Sequence, residues 1–185
     1  MELKSDNPKA LQTLNLRLKE LSSKVGKVGW FESAKYEDGT PVAYVATIQE
    51  FGSPARSIPP RPFMRPAIIE HQKEWEKVAA DGAKAILEGK SNVDNVMTAI
   101  TSVAESQVYK NIVNLLEPKL SPLTLAIRKY KLLNPGVKIT GRLVGEIAAK
   151  LKAGEIDTSG VSTKPLNDTG LMLATLTSVV EDANT

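Results

Sequence analysis

The spacing of apolar residues along the chain predicts that helices dominate the fold. In residues 5–22, leucines recur every three or four positions, as one face of a helix requires. These leucines are Leu11, Leu14, Leu18 and Leu21. Ser5 or Asp6 precedes them and could cap the helix through its side-chain oxygen.

Two longer periodic segments follow, at about 66–88 and 92–116. Ser91 is predicted to cap the second one, with Asp94 three residues later completing a capping box. Only about four residues separate the two segments, so we expect them to form an antiparallel helix hairpin. The apolar face of the first segment is predicted to contain Ile68, Trp75, Ala79, Ala83 and Ile86.

Two short segments have the composition of strands. Aromatic and β-branched residues are frequent in KVGKVGWFE (residues 24–32) and in LTSVV near the C-terminus. VAYVATIQE is predicted as a short helix that Thr40 caps and Gly52 ends, although a buried strand is a competing interpretation of so short an apolar run. Together these elements predict an α+β fold, in which helices pack a small, mostly antiparallel sheet.

Residues 117–165 differ in composition, since glycine and proline are frequent there. They contain one helical segment, TGRLVGEIAAKLKAG, with Thr140 as its cap and Gly154 as its end. We predict a single α+β domain over residues 1–185, in which 117–165 form an extension or insertion with little core of its own.

Composition and charge exclude several kinds of chemistry. The 185 residues include no cysteine, which excludes disulfides, thiolate metal sites and cysteine nucleophiles. The formal charge is +3, which neither requires nor excludes a DNA partner. No apolar run approaches the roughly 18 residues of a membrane span. The N-terminus also lacks the apolar region of a signal peptide, so we expect synthesis in the cytoplasm.

Candidate catalytic residues are few. His71 is the single histidine, and it lies on a predicted helix near Glu70 and Glu74. It could serve as a metal ligand or a general base, but a metal site normally needs several ligands, so a solvated helix face is the expected role. No nucleotide fingerprint, phosphate-binding glycine loop or HExxH motif occurs. We therefore predict a protein that is not an enzyme, with no cofactor and with no catalytic or metal site.

The segment EFGSPARSIPPRPFMRPAI, residues 50–68, separates predicted helices and is called the proline–arginine arm below. It contains five prolines and three arginines. Proline restricts its own φ and the residue before it, so the arm is predicted to be stiff and mostly extended. Three interpretations are open. The arm could be a connector with Phe63 in the core, an SH3-type ligand of the form Arg56-x-x-Pro59-x-x-Pro62, or a subunit contact.

The order of motifs along the chain resembles that of tail-completion and neck proteins of tailed bacteriophages. These include the family often described as minor tail protein Z and the related head–tail joining proteins. The resemblance covers about residues 10–128 and 164–180; in the family the corresponding segments are only a few residues apart, whereas here 132–163 intervene. The motifs are Glu50-Phe51-Gly52, Pro60-Arg61-Pro62-Phe63 followed by Arg65-Pro66, and Pro165-Leu166-x-Asp168-Thr169-Gly170.

The resemblance implies a structural role without catalysis. Copies of such proteins form a ring, commonly a hexamer, at the head–tail junction, and DNA passes through it without sequence-specific binding. The implied partners are other copies and the adjacent neck, connector and tail proteins, in the virion after assembly in the host cytoplasm. One alternative is a tail terminator ring that caps the tail tube. An alternative of another class is a mildly basic DNA-binding module.

Contact residues are a hypothesis that follows from the arm and the motifs. A ring built from heterologous contacts needs two different, complementary patches on each subunit. We expect the proline–arginine arm and the extension to contact neighbouring subunits or adjacent rings. The arm residues are Glu50, Phe51, Gly52, Arg56, Pro60, Arg61, Pro62, Phe63, Arg65 and Pro66. The C-terminal motif adds Pro165, Leu166, Asp168, Thr169 and Gly170.

Overall fold

The computed structural model of the protein describes residues 8–166, 168 and 170–183. Within these residues it contains seven α-helices, one short 3-10 helix and two strands, which confirms the α+β fold class. In chain order the elements are α1 (Pro8–Ser22), β1 (Lys24–Gly29), α2 (Val42–Phe51), the 3-10 helix (Pro54–Arg56), α3 (Met64–Leu87), α4 (Val93–Asn114), α5 (Pro122–Leu133), α6 (Gly141–Lys152), α7 (Leu171–Ala174) and β2 (Thr177–Asp182).

Helices α3 and α4 form the predicted antiparallel hairpin. The indole Nε1 of Trp75 donates a hydrogen bond to the amide oxygen of Gln107. The amide nitrogen of Gln107 in turn donates to the Glu74 carboxylate, over 2.7 Å. Because Gln107 is buried, these bonds supply the partners that its amide would otherwise lose on leaving water. The pairing holds one helix in register against the other.

Two caps differ from the prediction. Helix α4 begins one residue later than expected, because the side chain of Asn92, not Ser91, accepts the hydrogen bond from the main-chain N–H of Asn95. Helix α2 forms as predicted, and the alternative of a buried strand is wrong. It begins after Pro41 without a side-chain cap, so Thr40 does not have the predicted role.

Two positions of the predicted apolar faces are exposed. Ile68 faces solvent because Ala67, one residue earlier, is the fully buried position of α3 and adjacent helical residues differ by about 100° in direction. Leu18 of α1 is also exposed, whereas Leu21 packs against the hairpin. The proposed caps of α1, Ser5 and Asp6, lie outside the described residues.

The sheet consists of β1 and β2, which pair antiparallel from Lys24 opposite Asp182 to Gly29 opposite Thr177. Helix α4 packs against both strands. β1 ends at Gly29, so Trp30, which was predicted within the strand, lies beyond its end and packs in the core. The small sheet therefore pairs an early segment of the chain with a late one, beside the hairpin.

The core has two clusters. The larger one brings together α2, the proline–arginine arm, α4 and the C-terminal segment. The smaller one lies near the loop of the hairpin, where Leu21 of α1 covers it. The buried members of the first are Val42, Ala46, Phe63, Ala67, Val108, Ile112, Met172 and Leu176. Those of the second are Ile86, Val93 and Val96.

The extension contains a pair of helices. Thr140 caps α6 as predicted, since its hydroxyl accepts from the N–H of Leu143. Helix α5, which the sequence analysis did not predict, begins at Ser121 with a side-chain cap and packs on α6. Ala126 of α5 and Ile147 of α6 are fully buried, so the extension is more ordered than its glycine and proline content suggested.

The close approach of α3 and α4 predicts that alanine in place of glycine destabilises the hairpin, although alanine usually stabilises a helix. A Cβ added to Gly82 of α3 would collide with the Val96 side chain of α4, whereas one added to Gly145 of α6 meets nothing within 4 Å. Alanine favours a helix over glycine by up to about 1 kcal/mol. We expect Gly145→Ala to stabilise the protein and Gly82→Ala to destabilise it by about 1–3 kcal/mol. Urea unfolding of both variants would measure this, and stabilisation by Gly82→Ala would contradict the packing.

Candidate assembly surface

A buried carboxylate holds the proline–arginine arm in place. Glu50, the penultimate residue of α2, is 4% exposed. Its carboxylate oxygens accept hydrogen bonds from the main-chain N–H groups of Phe63, Met64 and Arg65, over 2.7, 3.0 and 3.2 Å. These are N–H groups at the start of α3, which have no partner within their own helix. Glu50 therefore caps α3 from a different helix and also places a negative charge at the positive end of its dipole.

Arg65 completes this contact. Its Nε donates to Glu50 Oε1 over 2.8 Å, and its Nη2 donates to the main-chain oxygen of Glu50 over 2.9 Å. Burial alone would raise the pKa of Glu50, but the hydrogen bonds from Arg65 and from the main chain outweigh it and hold the pKa below its ordinary value. Glu50 is therefore ionised at neutral pH.

Arg61 is a second buried charge of the arm and is 5% exposed. Its guanidinium donates to the main-chain oxygens of Pro118 and Lys119 and to the side-chain oxygen of Gln49. All of these acceptors are uncharged. Burial, together with the nearby positive charge of Arg128, lowers the pKa of Arg61. Arg61 thus ties the arm to the segment that follows the hairpin, and its side chain is buried within the chain.

Phe63 is 1% exposed and belongs to the larger core cluster. Its ring meets Trp30 edge to face, with centroids 5.6 Å apart and an interplanar angle of 87°. The indole N–H of Trp30 donates to the carbonyl of Met172 over 2.7 Å. Of the interpretations of the arm, the structure therefore supports the connector with Phe63 in the protein's own core.

The arm is not uniformly extended. Pro54–Arg56 form a 3-10 helix, and Ser53 pairs with Ile58 across the turn. Gly52 has a φ of 75°, and a Cβ there would lie 2.8 Å from the nitrogen of Pro60, so that only glycine fits. Its ψ of 177° differs from that of the expected left-handed cap. The conformation of residues 53–58 therefore differs from the continuous polyproline helix that an SH3-type ligand adopts.

Several residues of the arm lie on the surface. Arg56 and Pro60 are exposed, and Pro62 and Pro66 are half-buried. Phe51 is 61% exposed, and the Arg65 guanidinium lies over its ring, 4.9 Å from the centroid.

Exposed apolar residues extend this surface along both helices. Tyr44 lies two turns before Phe51 on α2 and shares its face. Ile68 and Ile69 follow Arg65 at three and four residues on α3 and are its neighbours. We call these residues the exposed stripe: Tyr44, Phe51, Arg65, Ile68 and Ile69. Of the exposed stripe, the sequence analysis named Phe51 and Arg65 as contact residues and did not name Tyr44, Ile68 or Ile69.

The C-terminal motif packs behind the arm. Pro165 is buried, and Leu166 packs against the cluster that contains Phe63. Asp168 lies just before α7, whose N-cap residue is Gly170. The Asp168 carboxylate forms ion pairs with α5, to Arg128 over 3.1 Å and to Lys131 over 3.5 Å.

The proline–arginine arm and the C-terminal motif thus pack into the same hydrophobic core. The remaining member of the C-terminal motif, Thr169, lies outside the described residues.

The described residues contain no group of three or more His, Asp or Glu side chains that could hold a metal ion. His71 is partly exposed and forms an i,i+3 contact with Glu74, 3.5 Å from its carboxylate. No described helix is long and apolar enough to cross a membrane. Comparison with known protein families, curated proteins and solved structures finds no match for this chain.

The Glu50 cap predicts a pH-dependent loss of stability. Glu50→Gln should lower the free energy of unfolding by about 2–3 kcal/mol at pH 7, because charge-assisted hydrogen bonds are lost from a buried site. The pKa of Glu50 is lowered from 4.5 on folding, so its stabilisation is complete above pH 4.5 and is lost as the pH falls through the folded value. The difference between wild type and variant should therefore narrow in acid.

Denaturant unfolding between pH 3 and pH 7 would measure this difference. Glu70→Gln is the matched control, because Glu70 is exposed on α3. A Glu50→Gln variant as stable as wild type at neutral pH would contradict the role of the cap.

Proposed function

We propose that this chain is a structural virion protein of a tailed phage that forms a ring at the head–tail junction, as a neck or tail-completion protein. The order of motifs described above is the starting point. The observation that supports it most directly is the exposed stripe on a rigid support. Phe51 and Ile69 are 61% and 79% exposed, yet they lie on helices that Glu50 joins.

The stripe has the properties of a protein contact surface. Large apolar side chains that are exposed together mark interaction sites more often than single exposed ones do. Aromatic residues and arginine are also enriched at the centres of interfaces. Because Glu50 fixes Arg65 and the start of α3, little conformational entropy would be lost when a partner binds. In the proposed virion, the stripe contacts a neighbouring subunit or the adjacent ring.

The buried part of the arm has a supporting role in this proposal. Arg61 and Phe63 hold the stripe in place from inside the fold, and they do not themselves contact a partner. The contact residues in this proposal are therefore the exposed members of the arm. The extension is a second candidate surface, since Leu132 and Leu133 at the end of α5 are exposed.

A small net charge suits a ring that conducts DNA. Each phosphate neutralised by a lysine or arginine adds to non-specific affinity, so a strongly basic channel would retain the DNA. The chain has 24 basic against 21 acidic residues. We therefore expect weak duplex binding; a salt titration that found tight binding with a steep salt dependence would favour the DNA-binding module instead.

Variants of the stripe test the proposal. We expect Ile69→Asp to leave the melting temperature unchanged, because the side chain is exposed, and to reduce the yield of infectious particles at least tenfold by breaking a subunit contact. Lys84→Asp is the control, since Lys84 is exposed on the same helix about 22 Å away. Complementation of a phage that lacks the gene would measure both. Equal yields from the two variants would remove the stripe from the assembly contacts.

Electron microscopy of particles made without the protein tests the position of the ring. Separate full heads and finished tails are expected for a neck or tail-completion protein. Overlong tails would instead identify a tail terminator, and normal virions would contradict both roles.

A further inference from the structure

The two-stranded sheet has outward main-chain groups, at Gly26 and Val28 on β1 and at Ser178 and Val180 on β2, that no other described residue pairs. The N–H of Ala183 donates to the carbonyl of Ser23, so this pair is hydrogen-bonded and every second pair along the sheet is as well. The pairs between them direct their N–H and C=O groups outward. Among the described residues no third strand is present, and none bonds the outward main-chain groups between the ends of the two strands.

The edges lack two of the features that prevent strand addition. Proteins protect edge strands with prolines and bulges, among other devices such as charged side chains. The sequences of β1 and β2, KVGKVG and TSVVED, contain no proline, and the pairing has no bulge. β2 is also rich in β-branched residues, which favour pairing. The edge of β2 is therefore competent to accept another strand.

The two strands differ in charge. β1 contains Lys24 and Lys27, whereas β2 contains Glu181 and Asp182. Within the chain these residues already form ion pairs, with 3.1 Å between Lys24 Nζ and Asp182 and 2.5 Å between Lys27 Nζ and Glu181. A second copy of β1 placed on the free edge of β2 would bring the same charges together again. The strand that best complements β2 is thus the β1 of another copy.

We propose that β2 of one subunit pairs antiparallel with β1 of the next, so that the sheet continues across the subunit boundary. Because the two edges differ, the contact is heterologous, and its repetition gives a ring when the rotation between neighbouring subunits closes. Main-chain hydrogen bonds supply affinity, and the alternating basic and acidic edges fix direction and register. This inference rests on the proposed ring and names the surfaces that join its subunits.

A proline at the edge tests the main-chain contact. Ser178→Pro removes an outward N–H and leaves the hydrogen bonds within the chain intact, since the N–H of Ser178 does not point at β1. Ser178→Ala keeps that N–H and is the matched control. We expect Ser178→Pro to raise the dissociation constant of the oligomer at least tenfold and Ser178→Ala to change it less than twofold, by sedimentation velocity.

Circular dichroism and melting of the full chain would show that both variants remain folded. If Ser178→Pro unfolds the protein, the charge exchange below decides the question alone.

A charge exchange separates contacts between subunits from those within the chain. The double variant Lys27→Glu with Glu181→Lys restores the ion pair inside each copy and between identical copies. A mixed ring, however, would place like charges on each side of every boundary between wild type and variant. We expect mass-labelled wild type and double variant to form separate rings, with mixed species below a tenth of the statistical fraction in native mass spectrometry.

The outcomes distinguish this inference from the proposed function. If rings form and mix at random, and Ser178→Pro assembles normally, edge pairing is wrong while the ring stands. A chain that stays monomeric at every concentration contradicts the ring and the edge pairing together. Loss of rings in Ser178→Pro with retained fold, and self-sorting in the exchange, support the paired edges.

Discussion

The arrangement of α2, the proline–arginine arm and α3 depends on one ionised side chain, the Glu50 carboxylate, and on the groups that bind it. Glu50 lies in the last turn of α2, caps the start of α3 through three main-chain N–H groups, and holds Arg65 beside Phe51. A carboxylate with so few water contacts is stable only because charge-assisted hydrogen bonds replace its hydration. The proline-rich chain between the two helices is then held at both ends. This contact holds the two helices that carry the exposed stripe in one arrangement.

The arm thus contains buried residues that support the fold and exposed residues that form a surface, and its sequence does not distinguish the two groups. Of its inner residues, Arg61 donates hydrogen bonds to main-chain carbonyls in the segment that follows the hairpin, and Phe63 fills the core beside Trp30. Its outer residues lie on helical faces that nothing in the described chain covers. In the proposed structural role both would matter, because a contact surface that is already rigid loses less conformational entropy when a partner binds.

Much of the fold followed from local patterns. The helix hairpin, α2, α6 with its Thr140 cap, and both strands were predicted, because the periodicity of apolar residues and the chemistry of caps act over a few residues. The errors also have physical causes. α5 was missed because prolines and glycines surround a short helix. The placement of Ile68 in the core was wrong, because the buried face of α3 runs through Ala67, one residue earlier.

The sequence by itself determined which segments form helices and strands, the absence of thiol chemistry, and the presence of an unusual proline–arginine arm. The tertiary structure alone decided which side of that arm is buried. Glu50, Arg61 and Phe63 looked like contact residues, since charge and aromaticity in a proline-rich segment favour binding. Their partners, however, lie up to about sixty residues away in the chain, as Arg61 and Lys119 show. Local sequence does not specify such pairings, because they arise only when distant elements pack together.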